Sequence, residues 1–292
     1  MNQVGPIQKR LEKIMEMVNR SPMTSIGSVL TGIIGVINNP ESSARDLVEL
    51  VQIDPPLAAK VLATANSVLY APRRRIAEIG QAVIYIGFEA LKEIALRQKV
   101  CRLFGEGGPV NGFSRPGLWR HSVAVAMCAK MIYRREFQQR GENAYAAGLL
   151  HDIGIIVEDQ LLHDVFHQIV MMSQRQSKVL TICEQAVLGF DHARIGAAVA
   201  GQWNLPEEII VAIGCHHCPW QYTPAHRQIV ATLHVADYSC AVRGIGFNIP
   251  EKDEKNAFHR SLDALDLSID AVDLIMDDVQ TQIRDMEEQG LL

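Results

Sequence analysis

The chain has 292 residues, of which 48% are hydrophobic, 21% charged and only 6% aromatic. This is ordinary globular composition, which excludes a disordered chain, and the length suits one large domain or two modest ones. A formal net charge of −5 argues against a general affinity for nucleic acid or an anionic membrane.

The first residues, Met1 to Val18, carry scattered charges and no apolar core, so no secretory leader is expected there. The longest apolar run, Ala144 to Val157, contains His151 and Asp152 and is shorter than the roughly 20 residues of a membrane span. The six cysteines are expected as reduced, mostly buried thiols, and the expected compartment is the cytoplasm.

Apolar residues recur at i, i+3/4 and i+7 along nearly the whole chain, and no long alternating run suggests a half-buried strand. The predicted fold class is all-α, a multi-helix bundle with an N-terminal helical lobe. Residues 5–19 form the first amphipathic helix, and Thr24 to Asn38 the second, stopped by Asn38-Asn39-Pro40. Ser43 caps a helix over 44–53, and Asp54 caps another that carries Pro55 and Pro56 in its first turn and runs to about Tyr70. A basic turn, Pro72-Arg73-Arg74-Arg75, precedes two helices between Ile76 and Phe104 that divide near Gly87.

The glycine-rich stretch Gly105 to Gly112 cannot sustain a helix and marks the expected boundary. Beyond it, helices are predicted near 115–135, 142–151, 158–174, 178–188, 191–203, 206–217 and 226–242. A polar connection at 248–256 then leads to an amphipathic segment from Leu262 to Met286. The expected organisation is an N-terminal helix (1–20), a helical lobe (21–110), a second lobe (113–247) and a C-terminal helical extension (255–292).

Several polar residues do not suit a core. His121 shares a helical face with Val125, Cys128 and Ile132; His151-Asp152 end the apolar helix Ala144 to Leu150. His192 lies on a face with Ile195, Val199 and Trp203, His216-His217 end the helix begun at Pro206, and Asp237 aligns with Val230, Leu233 and Cys240. One histidine on an apolar face reads as a hydrogen-bonded core residue. Buried carboxylates are costly unless paired, hydrogen-bonded or metal-bound. Five histidines and two aspartates at helix ends and inner faces therefore favour one shared polar site, with a hydrogen-bonded core network as the alternative. Imidazole with carboxylate and no thiolate suits iron, manganese or zinc.

The ordered set His121, His151-Asp152, His192, His216-His217 and Asp237 resembles the HD superfamily of metal-dependent phosphohydrolases. The resemblance implies that Asp152 bridges two divalent ions, with the histidines and Asp237 completing the ligands. Asp54 to Tyr70, Ile79 to Gly87, Asp191 to Ala197, Trp203 to Ile209 and His216 to Pro219 narrow the resemblance to the HDOD, or HD-related output domain, of bacterial signalling proteins.

That family implies an output or interaction module with a signalling partner, such as a receiver domain or kinase, or a nucleotide ligand. Phosphohydrolase activity on a nucleotide or cyclic dinucleotide is the alternative. Catalytic relatives of the HD-GYP type carry a lysine after His-Asp-Ile-Gly, where this chain has Ile155, and their glycine-tyrosine-proline loop motif is absent. An aliphatic side chain supplies neither proton nor charge. No nucleic-acid or membrane partner is expected, and self-association is left open.

Other features carry less. Cys215-x-x-Cys218 lacks the second pair of a structural zinc site. Arg73 to Arg75 read as a solvated turn, His163 and His167 as the polar side of their helix, and His226, His234 and His259 as isolated.

Overall fold

The structure, a computed structural model, describes residues 5–39, 41–67, 70–105, 112–221, 223–246 and 252–292. In chain order the helices are α1 (Pro6–Arg20), α2 (Met23–Asn38), α3 (Ala44–Gln52), α4 (Pro55–Ala65), α5 (Ile79–Ile86) and α6 (Phe88–Phe104). They continue with α7 (Arg115–Arg135), α8 (Glu142–Leu150), α9 (Ile153–Leu161), α10 (His163–Gln176) and α11 (Leu180–Leu188). The last are α12 (His192–Gln202), α13 (Glu207–Cys215), α14 (Arg227–Val242), α15 (Lys252–Leu265) and α16 (Ile269–Glu288). The fold is all-α, with no β-strand among the described residues.

Two compact units divide the chain: residues 1–24 with 104–280, and residues 25–103 with 281–292. The divisions fall inside α2, at the last residue of α6 and inside α16. The N-terminal helix α1 thus belongs with the second half of the sequence, packing on α9 and α12. Most of the expected linker, residues 106–111, lies outside the described residues, as do 247–251 of the polar connection.

In the smaller unit α3, α4 and α5 pack on one another. Asp54 caps α4 by accepting the Leu57 N–H at 3.0 Å, and it also pairs with the buried ammonium of Lys99. The helix begun at Asp54 ends earlier than predicted, at Ala65, because Asn66 turns the chain. Its amide donates to the carbonyls of Leu62 and Ile76, and its oxygen accepts the Ile76 N–H, all at 2.8 Å. This clamp closes the segment that carries the arginine triplet. Gly87, at φ 89°, separates α5 from α6 at the predicted position.

In the larger unit α7 is buried on nearly every side from Leu118 to Lys130, which explains its continuous apolar composition. Helices α8 and α14 lie along it, α13 packs on α8, and α9 packs on α12. Two glycines permit the closest approaches. A Cβ at Gly148 would stand 2.5 Å from the Ala126 Cα, and one at Gly154 would stand 2.0 Å from the His192 carbonyl oxygen.

The sequence reading merged or missed some elements. The helix predicted over 158–174 is two helices, α9 and α10, joined at Leu162, and α9 begins directly after Asp152. The segment Leu262 to Met286 is likewise broken. Asp266 takes a left-handed conformation (φ 53°), and the Ser268 hydroxyl accepts the Ala271 N–H at 3.1 Å to start α16.

Candidate metal centre

The seven candidate residues come from separate places in the larger unit. His121 sits in α7, His151 and Asp152 at the turn from α8 to α9, and His192 at the first residue of α12. His216 and His217 directly follow α13, and Asp237 lies within α14. The structure brings all seven together.

Asp152 stands at the middle. Its Oδ1 is 3.3 Å from His192 Nε2 and 3.7 Å from His216 Nε2. Its Oδ2 is 3.2 Å from His151 Nε2 and 3.8 Å from His121 Nε2. Asp237 Oδ1 is 3.0 Å from His121 Nε2 and 3.8 Å from His151 Nε2. His217 Nε2 lies 3.0 Å from His192 Nε2. Two groups follow, each with its donor atoms within 4.8 Å of one another: Asp152, His192, His216 and His217, and His121, His151 and Asp237. The second oxygen of Asp152 faces the latter group.

The remote nitrogens are already committed. His151 Nδ1–H donates to the Gly148 carbonyl at 2.8 Å, His216 Nδ1–H to Ile213 at 2.6 Å and His121 Nδ1–H to Ile245 at 2.6 Å. His192 Nδ1–H donates to the Glu184 carboxylate at 2.8 Å. These bonds leave each Nε2 facing the centre. The Nε2 atoms of His151 and His216 are fully buried and have no hydrogen-bond partner. Inward lone pairs at buried nitrogens, beside two carboxylates, are the donor set a divalent cation satisfies.

Electrostatics follow from the same contacts. Burial opposes ionisation of Asp152, but the charge of His151 beside it, with the inward nitrogens of His192 and His216, holds its pKa well below 3.8. Asp237 is likewise lowered, burial being outweighed by the His121 hydrogen bond and the charges of His151 and His121. Burial also opposes the His121 imidazolium, yet Asp237, Asp152 and the Ile245 carbonyl push its pKa up to about 9. Burial and the charges of His216 and His192 hold His217 well below the usual histidine value. His192, Asp152, His151 and His216 are closed off from solvent, whereas the Asp237 side chain is 15% exposed, so the centre opens on that side.

The sequence reading missed three contributors. Glu184 and Glu158 are completely buried beside His192, and His234, read as isolated, donates its Nδ1–H to the His216 carbonyl at 2.7 Å. Glu184 carried a signal, since Leu180, Glu184 and Leu188 lie on one helical stripe at i, i+4 spacing. Cys215 and Cys218 are free, half-buried thiols outside both donor groups.

Fold and site define an all-helical protein with a His/Asp centre of the HD kind. The family model for the HDOD domain matches residues 23–219, and the chain belongs to the HDOD domain family. A solved HDOD-domain protein of unknown function from Geobacter sulfurreducens is 29% identical, with a TM-score of 0.78 over 98% of this chain and 100% of its own. A proposed signal-transduction protein from Marinobacter aquaeolei VT8 is 25% identical, with a TM-score of 0.73 over 90% of this chain and 58% of its own. An uncharacterized protein of Treponema pallidum (strain Nichols) is 26% identical over 193 residues, 64% of this chain. The match spans 37% of that relative's length. Among the described residues no single helix is long and apolar enough to cross a membrane.

Proposed function

We propose that this chain is an HDOD-type signalling output module that holds a pair of divalent ions and acts through a partner rather than through turnover. The observation that carries the metal reading is the placement of Asp152, whose two oxygens face two different sets of histidines. His121, His151, Asp237 and Asp152 Oδ2 would hold one ion; His192, His216, His217 and Asp152 Oδ1 would hold the other. Imidazole and carboxylate donors favour the iron, manganese or zinc class. Bound ions would supply Lewis acidity and positive charge at the open side near Asp237. Because cations compete with the protons on His121 and His192, loading would release protons.

The output reading rests on the family and on Ile155. That side chain is fully buried, at the position where the catalytic relatives carry a lysine, so it offers nothing to a substrate. The partner we propose is a signalling protein, such as a receiver domain or kinase, or a nucleotide that occupies the centre without being cleaved. The completeness of both donor groups favours the second reading, a phosphohydrolase acting on a nucleotide or cyclic dinucleotide.

Metal analysis and an anaerobic assay separate the two. Freshly purified protein is expected to carry about two ions per chain. With manganese or iron supplied, hydrolysis of a nucleotide and cyclic-dinucleotide panel should not exceed that of Asp152→Ala. Turnover abolished by that substitution would replace the output reading with the enzymatic one, and a chain that takes up no metal under any loading condition would remove both.

A further inference from the structure

His192 differs from the other histidines of the centre in where it sits. His151 and His216 follow the ends of α8 and α13, where the last carbonyls of a helix lack partners, so each finds an acceptor three residues back, at Gly148 and Ile213. His192 opens α12. The start of a helix offers unpaired N–H groups and no free carbonyl, so an acceptor for its Nδ1–H has to come from elsewhere.

Glu184 supplies it. Its carboxylate accepts the His192 backbone N–H at 3.0 Å and the ring Nδ1–H at 2.8 Å, thereby also pairing one of the orphan donors of α12. Glu184 is 0% exposed, and so is Glu158, whose two oxygens meet no donor in the structure. Two adjacent buried carboxyl groups cannot both ionise cheaply. Burial first, and the neighbouring Glu184 second, push the Glu158 pKa well above 4.5.

We propose that Glu184 is a positioning residue that keeps the proton of His192 on Nδ1 and so reserves its Nε2 for the ion held with Asp152, His216 and His217. Neither glutamate touches the ion. The action of Glu184 is exerted on the orientation and tautomer of one ligand, in the way an outer carboxylate orients a metal-bound imidazole. The inference rests on the metal reading above for its consequence, but the tautomer itself can be observed in metal-free protein.

Nitrogen-15 NMR of the metal-free protein at alkaline pH, where the imidazoles are neutral, reads the tautomer. Wild-type His192 is expected to carry its proton on Nδ1. In Glu184→Leu no acceptor remains for the Nδ1–H, whereas Asp152 Oδ1 still lies 3.3 Å from Nε2, so the proton is expected on Nε2. Binding of zinc(II) alone, measured against a chelating dye, should weaken roughly 10- to 100-fold at one of the two positions.

A folded Glu184→Leu protein that retains the Nδ1 proton and wild-type zinc affinity would overturn the role of Glu184. If wild type bound no zinc but showed the expected tautomer reversal, the metal reading would fall and the positioning role of Glu184 would stand.

Discussion

Gly154 follows the His-Asp pair by two residues, and its lack of a side chain lets α9 pass against the first residue of α12. In Gly154→Ala the new Cβ would lie 2.0 Å from the His192 carbonyl oxygen, 2.7 Å from its carbon and 2.9 Å from its Cα, where ordinary contact begins at 3.4 Å. All three obstacles are backbone, so no rotamer change relieves them and the helices must part by on the order of 1 Å. Overpacking of this kind costs about 1–3 kcal/mol, and a clash with rigid backbone belongs at the upper end. At roughly 2–4 °C per kcal/mol for a unit of this size, the melting temperature should fall by about 6–12 °C. Zinc affinity should fall at least about tenfold, because His192 moves with its carbonyl. Gly201→Ala, in α12 with nothing within 4 Å of the new Cβ, is the control. It should be neutral or stabilising by about 0.5–1 kcal/mol. Thermal unfolding of the metal-free variants measures both, and a Gly154→Ala protein melting within about 2 °C of wild type would refute the close-approach argument.

The metal-free protein should be sensitive to alkali through His121. Its pKa rises from 6.5 to about 9 on folding, so its contribution is complete below pH 6.5 and disappears as pH rises through about 9. The shift corresponds to roughly 3 kcal/mol, read as a fall in the urea midpoint between pH 6 and pH 10 that His121→Gln should flatten. Asp152→Asn should abolish both ions, whereas Asp237→Asn should remove only the one it shares with His121 and His151; metal stoichiometry distinguishes them, and equal losses would contradict the bridging role. Asn66→Ala removes three hydrogen bonds that close the arginine-bearing segment, for a loss of about 1–3 kcal/mol. Trypsin should then cut at Arg73–Arg75 faster than in wild type, and an unchanged cleavage rate would show that the clamp does not restrain that segment.

Much of this was legible because burial and charge conflict openly in the sequence. Asp152 and Asp237 occupy positions that helical spacing assigns to the core, and an acid there demands partners. The ordered set of histidines then named those partners. Glu184 raised the same conflict on the Leu180–Leu188 stripe, but it has no histidine within one helical turn, and its partner lies eight residues away across a turn. The carbonyls of Gly148, Ile213 and Ile245 that orient three of the rings left no trace at all, since every residue has a carbonyl. Element boundaries failed where neither glycine nor proline announced them. The break at Leu162 falls on the second of two consecutive leucines, and that at Asp266 depends on a left-handed residue within an otherwise helical pattern. Gly87, by contrast, marked its own break.

His121 and Asp237 stand 116 residues apart in the chain and meet at 3.0 Å. A cation held between them, and a neighbour held by α12 and α13, would work as removable cross-links over long loops, the kind of constraint that most reduces the freedom of an unfolded chain. Occupancy and the cohesion of the larger unit are then linked in both directions: an ion present at 100 times its dissociation constant adds about 2.7 kcal/mol to the folded state. Any partner that draws α9 away from α12 would loosen the ion by the same free energy with which the ion resists the movement. The centre can thereby register a mechanical event at the helices without any bond in a substrate being broken.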